Sequence, residues 1–288
     1  MALSVTRERD VDLRVESVEG GGGGLSRVEQ GLEVEFDRAT VVRKRRSVGA
    51  RTDRGTWVRI ERRQLSRLRE HGWDGTECAE ALTDIAKPQW LKSVAWKDLT
   101  DGAMWRADET TLLPGHPVGT AVLATGPQLP EEWWRDLNAS LDALAGQRTA
   151  RIATPDTELI TQALVNRTIQ AAFPARADTA IRTWVPAHAD LNWANTTGPQ
   201  FCLFDWEDWG NAPQGLDSAS LLGASLAVPA LADRVRRERH RDLESRDGKV
   251  MTLFVFAKFA GPNAHPGDPR VSVARQEAAQ LIQELQAA

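Results

Sequence analysis

Short alternations of hydrophobic and polar residues dominate the chain up to about residue 113, and this is the pattern of half-buried β-strands. The tetrapeptide Thr-Asp-Arg-Gly at 52–55 has the composition of a tight turn, so we predict a hairpin around it. A helix is expected at 76–85, with Thr76 as the candidate N-cap. The predicted strands cover residues 32–36, 41–52, 57–60, 93–96 and 105–113.

The pattern changes after a Pro-Gly-His-Pro break at 114–117, where hydrophobic residues begin to recur at helical spacing. We predict one helix from Pro130 to Gly146 and another over 156–173, which Pro174 ends. Loops and strands are expected at 184–206, followed by helices to the C-terminus. The chain is therefore predicted to have an α+β fold.

Three segments make up the predicted domain organisation. Residues 1–30 are expected to be a flexible N-terminal segment, because the run Gly20–Gly24 loses too much backbone entropy to form a helix or strand cheaply. That run is not expected to cradle phosphate, since it lacks the P-loop pattern and no apolar strand precedes it. A small β-rich lobe at 31–113 and a larger helical lobe at 114–288 complete the organisation.

Composition and charge exclude several classes of protein. The net charge of −4 argues against a nucleic-acid partner, which requires a basic surface to displace phosphate counterions. The two cysteines form no CxxC pair, so neither a disulfide framework nor a zinc site is expected. The first residues lack the apolar run of a signal peptide, and no stretch is apolar enough for a membrane span. We therefore expect a cytoplasmic protein without a membrane partner.

Candidate chemistry is concentrated in residues 184–221. His188, Asp190 and Asn195 form the pattern H-x-D-x₄-N, and Asp205 follows the apolar run 201–204, which we interpret as a buried strand. Phosphoryl transfer requires a carboxylate that orients or deprotonates the attacking hydroxyl, and oxygen ligands that hold magnesium against the phosphates. One amide oxygen and one carboxylate suffice, because magnesium keeps several waters.

This segment resembles the catalytic and metal-binding loops of the aminoglycoside phosphotransferase and choline kinase-like family. The resemblance implies a bilobal protein-kinase-like fold, with ATP as co-substrate and Mg²⁺ as cofactor. It assigns Asp190 as the catalytic carboxylate, and Asn195 and Asp205 as metal ligands. Asp217 resembles the structural aspartate that family members carry shortly afterwards, and His188 is expected to order the backbone without a chemical role.

In the small lobe the resemblance implies a lysine that holds the nucleotide phosphates, and Arg59 occupies its position. The chain contains 30 arginines and only 6 lysines, which makes an arginine at this position less surprising. Its partner would be a glutamate on the following helix, with Glu77 as the first choice and Glu80 as the second. Ordinary helix-surface carboxylates remain the alternative for both.

The acceptor is expected to be a hydroxylated small molecule. Glu207 and Asp208 follow Asp205 directly, and such a cluster would suit a cationic substrate. Trp193, Trp206 and Trp209 would either line the site or pack in the core. Two rival functions stay open: a pseudokinase that binds nucleotide without turnover, and a protein kinase, which the lack of DFG and APE-like sequences disfavours.

Overall fold

The computed structural model describes residues 13, 24–65, 68, 73–99, 102–174, 177–262 and 264–287. The chain divides into two compact units. One comprises residues up to 80 together with 88–112, and the other comprises 81–87 together with 113–288. The sequence had placed 81–87 in the small lobe, but Ala86 donates to Ser140 Oγ and accepts from the backbone of Leu203 in the larger unit.

The first unit is built on a five-stranded antiparallel sheet with the order β1-β2-β3-β5-β4. The turn at 52–55 joins β2 to β3, with Gly55 in the left-handed region at φ 71°, so the predicted hairpin is confirmed. The strands are β1 Val42–Arg43, β2 Ser47–Arg51, β3 Thr56–Gln64, β4 Trp90–Lys97 and β5 Ala103–Thr111.

A helix that the sequence did not predict, α1 (Gly24–Leu32), covers one face of this sheet. Leu25, Val28 and Leu32 lie on one side of α1 and are buried against the apolar residues of the strands. Gly31 allows the close approach, because a Cβ there would lie 2.8 Å from Val94 Cγ1. The flexible-segment prediction is therefore wrong for residues 24–30, while Gly20 to Gly23 lie outside the described residues.

The predicted strand at 32–36 is also wrong. Leu32 belongs to α1, and Glu33 turns the chain at φ 60° directly after it. Only Phe36 makes a bridge, to Thr52. Leu32 also continues the helical spacing of Leu25 and Val28. This spacing places all three on the buried side of α1, and their burial in the core favours the helix.

The helix predicted at 76–85 is shorter than expected. It comprises α2 (Gly75–Cys78) and a 3₁₀ turn at Ala79–Ala81. Asp74 occupies the N-cap position instead of Thr76, and no side chain caps the helix there. Its two glutamates, Glu77 and Glu80, both bond to other parts of the same unit, as described below.

The second unit is mainly helical. Two short antiparallel pairs accompany the helices, β6 with β8 and β7 with β9. The strands are β6 His116–Pro117, β7 Trp184–Ala187, β8 Thr197–Gly198 and β9 Gly210–Pro213. The helices are α3 Glu131–Ala145, α4 Gln162–Ala172, α5 Leu216–Ser225, α6 Pro229–Glu238, α7 His240–Leu243, α8 Arg246–Ala260 and α9 Val271–Ala287.

The helix predicted at 130–146 is confirmed as α3, whereas α4 begins six residues later than the predicted start at 156. Asp156 has a φ of 59° inside a 3₁₀ turn, so the helix cannot start there. It begins instead after Thr161, whose Oγ1 accepts the backbone N–H of Leu164 at 3.1 Å. Among the helices described, none is both long and apolar enough to cross a membrane.

Candidate active site

The H-x-D-x₄-N motif lies in the loop that leaves β7, and the backbone of this loop is held from below by α5. The N–H groups of His188 and Ala189 donate to the two carboxylate oxygens of Asp217, at 2.7 and 2.9 Å. Asp217 lies in the first turn of α5, where the helix dipole favours a negative charge. Ala189 adopts a φ of 69°, a conformation that an alanine rarely takes without such restraint. Burial raises the pKa of Asp217, while the charge of His188 and the two N–H donors oppose that shift.

His188 joins the H-x-D-x₄-N loop to the segment that carries Asp205. Its Nε2 lies 3.0 Å from the carbonyl oxygen of Phe204, and its ring packs edge-on against Trp206 with a centroid distance of 4.7 Å. The residue is fully buried. Because Phe204 directly precedes Asp205, His188 fixes the spacing between the two acidic segments, which agrees with the structural role expected for it.

Two asparagine side chains orient the carboxylate of Asp190. Asn195 Nδ2 donates to Asp190 Oδ2 at 2.8 Å, and Asn192 Nδ2 donates to Asp190 Oδ1 at 3.1 Å. Both amides also donate to the backbone carbonyl of Asp190, at 2.9 and 3.0 Å. The plane of the carboxylate is thereby fixed, although the residue itself reaches solvent.

The Asn195 amide has one donor side and one acceptor side, and the contacts with Asp190 determine which way they point. A carboxylate and a carbonyl only accept, so Nδ2 must face Asp190 and Oδ1 must face away. Within the described residues, Oδ1 accepts no hydrogen bond. The side chain is buried, at 7% exposure, and its amide is held by Asp190, so the position of the Oδ1 atom is fixed.

Asp205 is brought to the same loop by the backbone. The N–H of Phe204 donates to the carbonyl of Asn195 at 3.0 Å, which places Asp205 beside that residue in the chain fold. Asp205 has a φ of 70°, in the left-handed region that aspartate tolerates better than most residues. The run 201–204 before it is largely buried, but within it only Leu203 forms a bridge, with Thr196, so the predicted strand is wrong.

The acidic groups of this loop influence one another. Protein atoms surround much of the Asp190 carboxyl group, and this desolvation raises the pKa of Asp190. The negative charges of Asp205 and Asp208 act in the same direction, while His188 and the hydrogen bond from Asn195 oppose it. The net direction is upward, so the site concentrates negative charge and would be stabilised by a cation.

The oxygen donors fit magnesium better than a metal that needs a full protein cage. The described residues contain no cluster of three or more His, Cys, Asp or Glu side chains arranged to hold a metal ion. The Oδ1 of Asn195 and the carboxylate of Asp205 lie on segments that the backbone joins, and they could supply two oxygen ligands. Magnesium is commonly held by one or two protein oxygens together with waters and substrate phosphates.

The tryptophans of the motif region pack in the core, which is one of the two roles that the sequence left open for them. Trp193, Trp206 and Trp209 are each at most 3% exposed. Trp193 stacks on Trp133 with a centroid distance of 5.7 Å and donates to Ser225 Oγ at 3.1 Å. Through these contacts the buried aromatic side chains pack beneath the H-x-D-x₄-N loop and support it.

Asp208 is also held in place, because its Oδ1 accepts from Thr154 Oγ1 at 2.7 Å. Its neighbour Glu207 is half-buried, and the backbone carbonyl of Glu207 accepts from Arg151. Asp208 and Asp205 are therefore the carboxylates whose charge acts on Asp190.

Arg59 and Glu77 both lie in the first unit, but the structure does not bring them together as an ion pair. Glu77 Oε2 bonds to Arg106 Nη2 at 2.7 Å. Arg59 forms its ion pair with Glu61, on its own strand. The reserve candidate, Glu80, accepts the backbone N–H of Trp90 at 2.9 Å.

Sequence reasoning missed three residues that bind the side chains of predicted site residues: Asn192, Glu61 and Arg106. Asn192 lies two residues after Asp190, and short-range contacts of this kind are frequent for asparagine in turns. Glu61 lies two residues after Arg59, and residues at this spacing share a face of a strand, so the alternation itself carried a signal. Arg106 depends on the register of β3 with β5, which the sequence alone does not fix.

Comparisons with known proteins agree with this fold. No protein-family model and no curated protein sequence matches the chain. Crystal structures of aminoglycoside phosphotransferase APH(4)-Ia do match: one has a TM-score of 0.55, 10% identity, and covers 88% of this chain and 95% of the other. A ternary complex of a thermostable mutant of that enzyme with AMP-PNP and hygromycin B has a TM-score of 0.53, 9% identity, and coverage of 86% and 95%.

A choline/ethanolamine kinase family protein from Mesorhizobium loti gives a TM-score of 0.50 at 12% identity, over 88% of this chain and 92% of the other. The predicted fold class is thereby confirmed. The chain has the α+β, protein-kinase-like fold of the aminoglycoside phosphotransferases and the choline kinase family proteins.

Proposed function

We propose that this chain is a small-molecule kinase that transfers the γ-phosphoryl group of ATP to a hydroxyl group. The observation that carries the proposal is the arrangement around Asp190. Its carboxylate is oriented by two amides, and one of these, Asn195, turns its oxygen outward beside the segment of Asp205. A carboxylate, an amide oxygen and a second carboxylate are the groups that phosphoryl transfer requires.

Asp190 would act on the acceptor hydroxyl. Each carboxylate oxygen can accept more than one hydrogen bond, so the asparagine donors leave capacity for a hydroxyl proton. The raised pKa makes the ionised form a stronger base than an ordinary aspartate. Asp190 would therefore orient the hydroxyl oxygen toward the phosphorus atom and accept its proton during transfer.

Asn195 and Asp205 would hold magnesium. A bound ion would neutralise charge on the nucleotide phosphates, which the carboxylates of Asp190, Asp205 and Asp208 would otherwise repel. Asn195 would have a double task in this arrangement, because its Nδ2 orients Asp190 while its Oδ1 would be available to bind the metal. That coupling ties the position of the base to the position of the metal.

Arg59 would contact the nucleotide phosphates. Its side chain is 34% exposed, and its guanidinium is always charged and able to bind phosphate oxygens in pairs. The acceptor would be a polar molecule, and the acidic loop favours one with a positive charge. Hygromycin B, bound in the APH(4)-Ia complex, illustrates a small-molecule ligand in the same fold.

A protein substrate is disfavoured by the length of the segment after Asp205. Strand β9 begins at Gly210, and α5 begins at Leu216. Protein kinases place a long activation segment between the corresponding aspartate and the next helices. A nucleotide-binding protein without turnover is the second candidate, since Arg59 stands where the resemblance implies a lysine.

The proposal is tested by ATP consumption with a panel of hydroxylated compounds, both cationic and neutral, in the presence of magnesium. Turnover with at least one compound, absent without magnesium, supports the proposal. MgATP binding without turnover on any compound favours the pseudokinase. Phosphorylation of generic protein substrates in preference to the panel contradicts the small-molecule assignment.

Asp205→Asn is expected to weaken MgATP binding by at least about tenfold, the scale that even indirect changes at metal sites reach. Asparagine tolerates the left-handed backbone of this position, so the change removes charge without adding strain. Isothermal titration of MgATP measures the loss. Asp233→Asn is a suitable control, because Asp233 lies on α6 with a 64% exposed side chain. Equal affinity in both variants would remove Asp205 from the metal site.

A further inference from the structure

We infer that Glu61 positions Arg59 for the nucleotide, in place of a glutamate on the helix. The inference rests on the nucleotide role proposed above for Arg59. Arg59 and Glu61 lie two residues apart on β3, so their side chains leave the same face of the sheet. Arg59 Nη2 forms an ion pair with Glu61 Oε1.

The carboxylate of Glu61 is itself held firmly. Its Oε2 accepts from Trp73 Nε1 at 2.8 Å and from Arg63 Nη2 at 3.1 Å. The guanidinium of Arg63 also stacks over the ring of Trp73, 5.2 Å from its centroid. With a side chain only 10% exposed, Glu61 offers Arg59 a fixed anchor and not a mobile surface carboxylate.

The helix glutamate, Glu77, binds a different arginine. Glu77 bonds to Arg106, and Asp108 holds the same guanidinium through contacts of 2.7 and 2.8 Å. Burial opposes ionisation of Arg106, but the ion pairs with Asp108 and Glu77 outweigh it and raise the pKa of Arg106 above its usual range. Arg106 therefore stays charged, and releasing Glu77 toward Arg59 would leave an 11% exposed cation with one partner fewer.

The register of the sheet explains how the two pairs arise. Arg106 lies opposite Glu61, and Asp108 lies opposite Arg59, so both strands alternate cation and anion on the same face. Each arginine has a carboxylate on its own strand, two residues away. The helix contributes only to the pair on β5, and β3 supplies its own anchor.

A fixed anchor matters because arginine is a long and planar side chain. Holding one end of the guanidinium against Glu61 fixes its plane and its reach, while 34% of the side chain still faces solvent. Loss of the anchor would return rotational freedom to Arg59 and reduce the affinity for phosphate. The effect would appear in nucleotide binding and not in the reactivity of Asp190.

Glu61→Gln tests this inference, because glutamine keeps the shape and an oxygen for Trp73 but removes the charge. We expect the Kd for MgATP to rise about tenfold, the scale of one charge-assisted hydrogen bond. Glu77→Gln should raise it less, since its partner is Arg106. Glu35→Gln, an exposed residue of the same unit, controls for the loss of one negative charge.

A structural effect of Glu61 is separated from positioning by repeating the substitution in an Arg59→Ala background. If Glu61 acts through Arg59, Glu61→Gln should cost no further affinity there. Additive losses, or a larger effect of Glu77→Gln than of Glu61→Gln, would overturn the inference while MgATP binding by the unaltered protein keeps the proposed function standing. Failure of the unaltered protein to bind MgATP would overturn both.

Discussion

Replacement of Asp190 by asparagine should lower the rate of phosphoryl transfer by about 10²–10⁴, the usual contribution of a general base. Asparagine has nearly the same shape and retains an oxygen that can accept from Asn195 or Asn192. The loop should therefore keep its conformation, and only proton acceptance by the carboxylate is lost. Steady-state kinetics on a substrate identified by the panel measure the effect, with MgATP affinity determined separately.

The same variant should not be less stable than the unaltered protein. The pKa of Asp190 is raised in the folded state, so ionising its carboxyl group costs more free energy in the folded protein than in the unfolded chain. At neutral pH this difference lowers the free energy of unfolding. This cost disappears as the pH falls below the ordinary aspartate pKa of about 3.9, where both states bind the proton. Thermal unfolding of the variant at neutral pH should give an equal or higher midpoint, and the difference should shrink in acid.

Two results would contradict the assignment of Asp190. Turnover within a few-fold of the unaltered protein would show that another group accepts the proton. A large drop in the unfolding midpoint would show that Asp190 stabilises the loop, and the loss of activity could then not be attributed to chemistry.

The contacts within the H-x-D-x₄-N loop could be anticipated from the sequence because they are local. Asn195 lies five residues from Asp190, and one loop brings the two side chains together. Asp217 is farther along the chain but occupies the first turn of a helix, where a carboxylate is an expected backbone acceptor. Residue type and spacing therefore carried most of the information about this part of the candidate site.

The small unit was harder to predict because strand register decides its ion pairs. Glu77 on α2 and Arg106 on β5 are separated by 29 residues, and the register of β5 with β3 places Arg106 opposite Glu61. The family resemblance implied a helix glutamate as the partner of Arg59. The alternating charges on β3 pointed instead to Glu61, which is the partner in the structure. Local spacing was the better guide at this position than the resemblance.

The tryptophans show a different limit of sequence reading. Acidic residues alternate with Trp206 and Trp209 in one short segment, which fits a ligand site as well as a loop over a core. Burial distinguishes the two, and it depends on distant partners such as Trp133 on α3. A sequence pattern of this kind leaves the role of the aromatic residues undetermined.

Asp217 carries the second large expected effect, because it anchors the backbone of the H-x-D-x₄-N loop. Asp217→Ala leaves the N–H groups of His188 and Ala189 buried without an acceptor, and each such group costs about 1–3 kcal/mol. The free energy of unfolding should therefore fall by about 2–5 kcal/mol. Asp217→Asn keeps one acceptor oxygen, so its free energy of unfolding should lie between those of the unaltered protein and of Asp217→Ala.

Asp247 provides a matched control for this prediction. It lies in the first turn of α8 and accepts the backbone N–H groups of Arg182 and Thr183, at 3.0 and 2.7 Å, just before β7. Asp217 does the same just after β7, so the two aspartates hold opposite ends of one strand. Asp247→Ala should reduce stability to a similar extent, but it leaves the restraint on Ala189 intact.

The two variants can be distinguished by assaying activity well below their unfolding midpoints, where both are folded. Asp217→Ala should then still lose turnover, because Ala189 is no longer held at positive φ and Asp190 follows it directly. Asp247→Ala should retain far more of its turnover. Equal retention by both would mean that Asp217 contributes only to stability. Equal loss would mean that the position of β7 as a whole, and not the single restraint on Ala189, sets the geometry of Asp190.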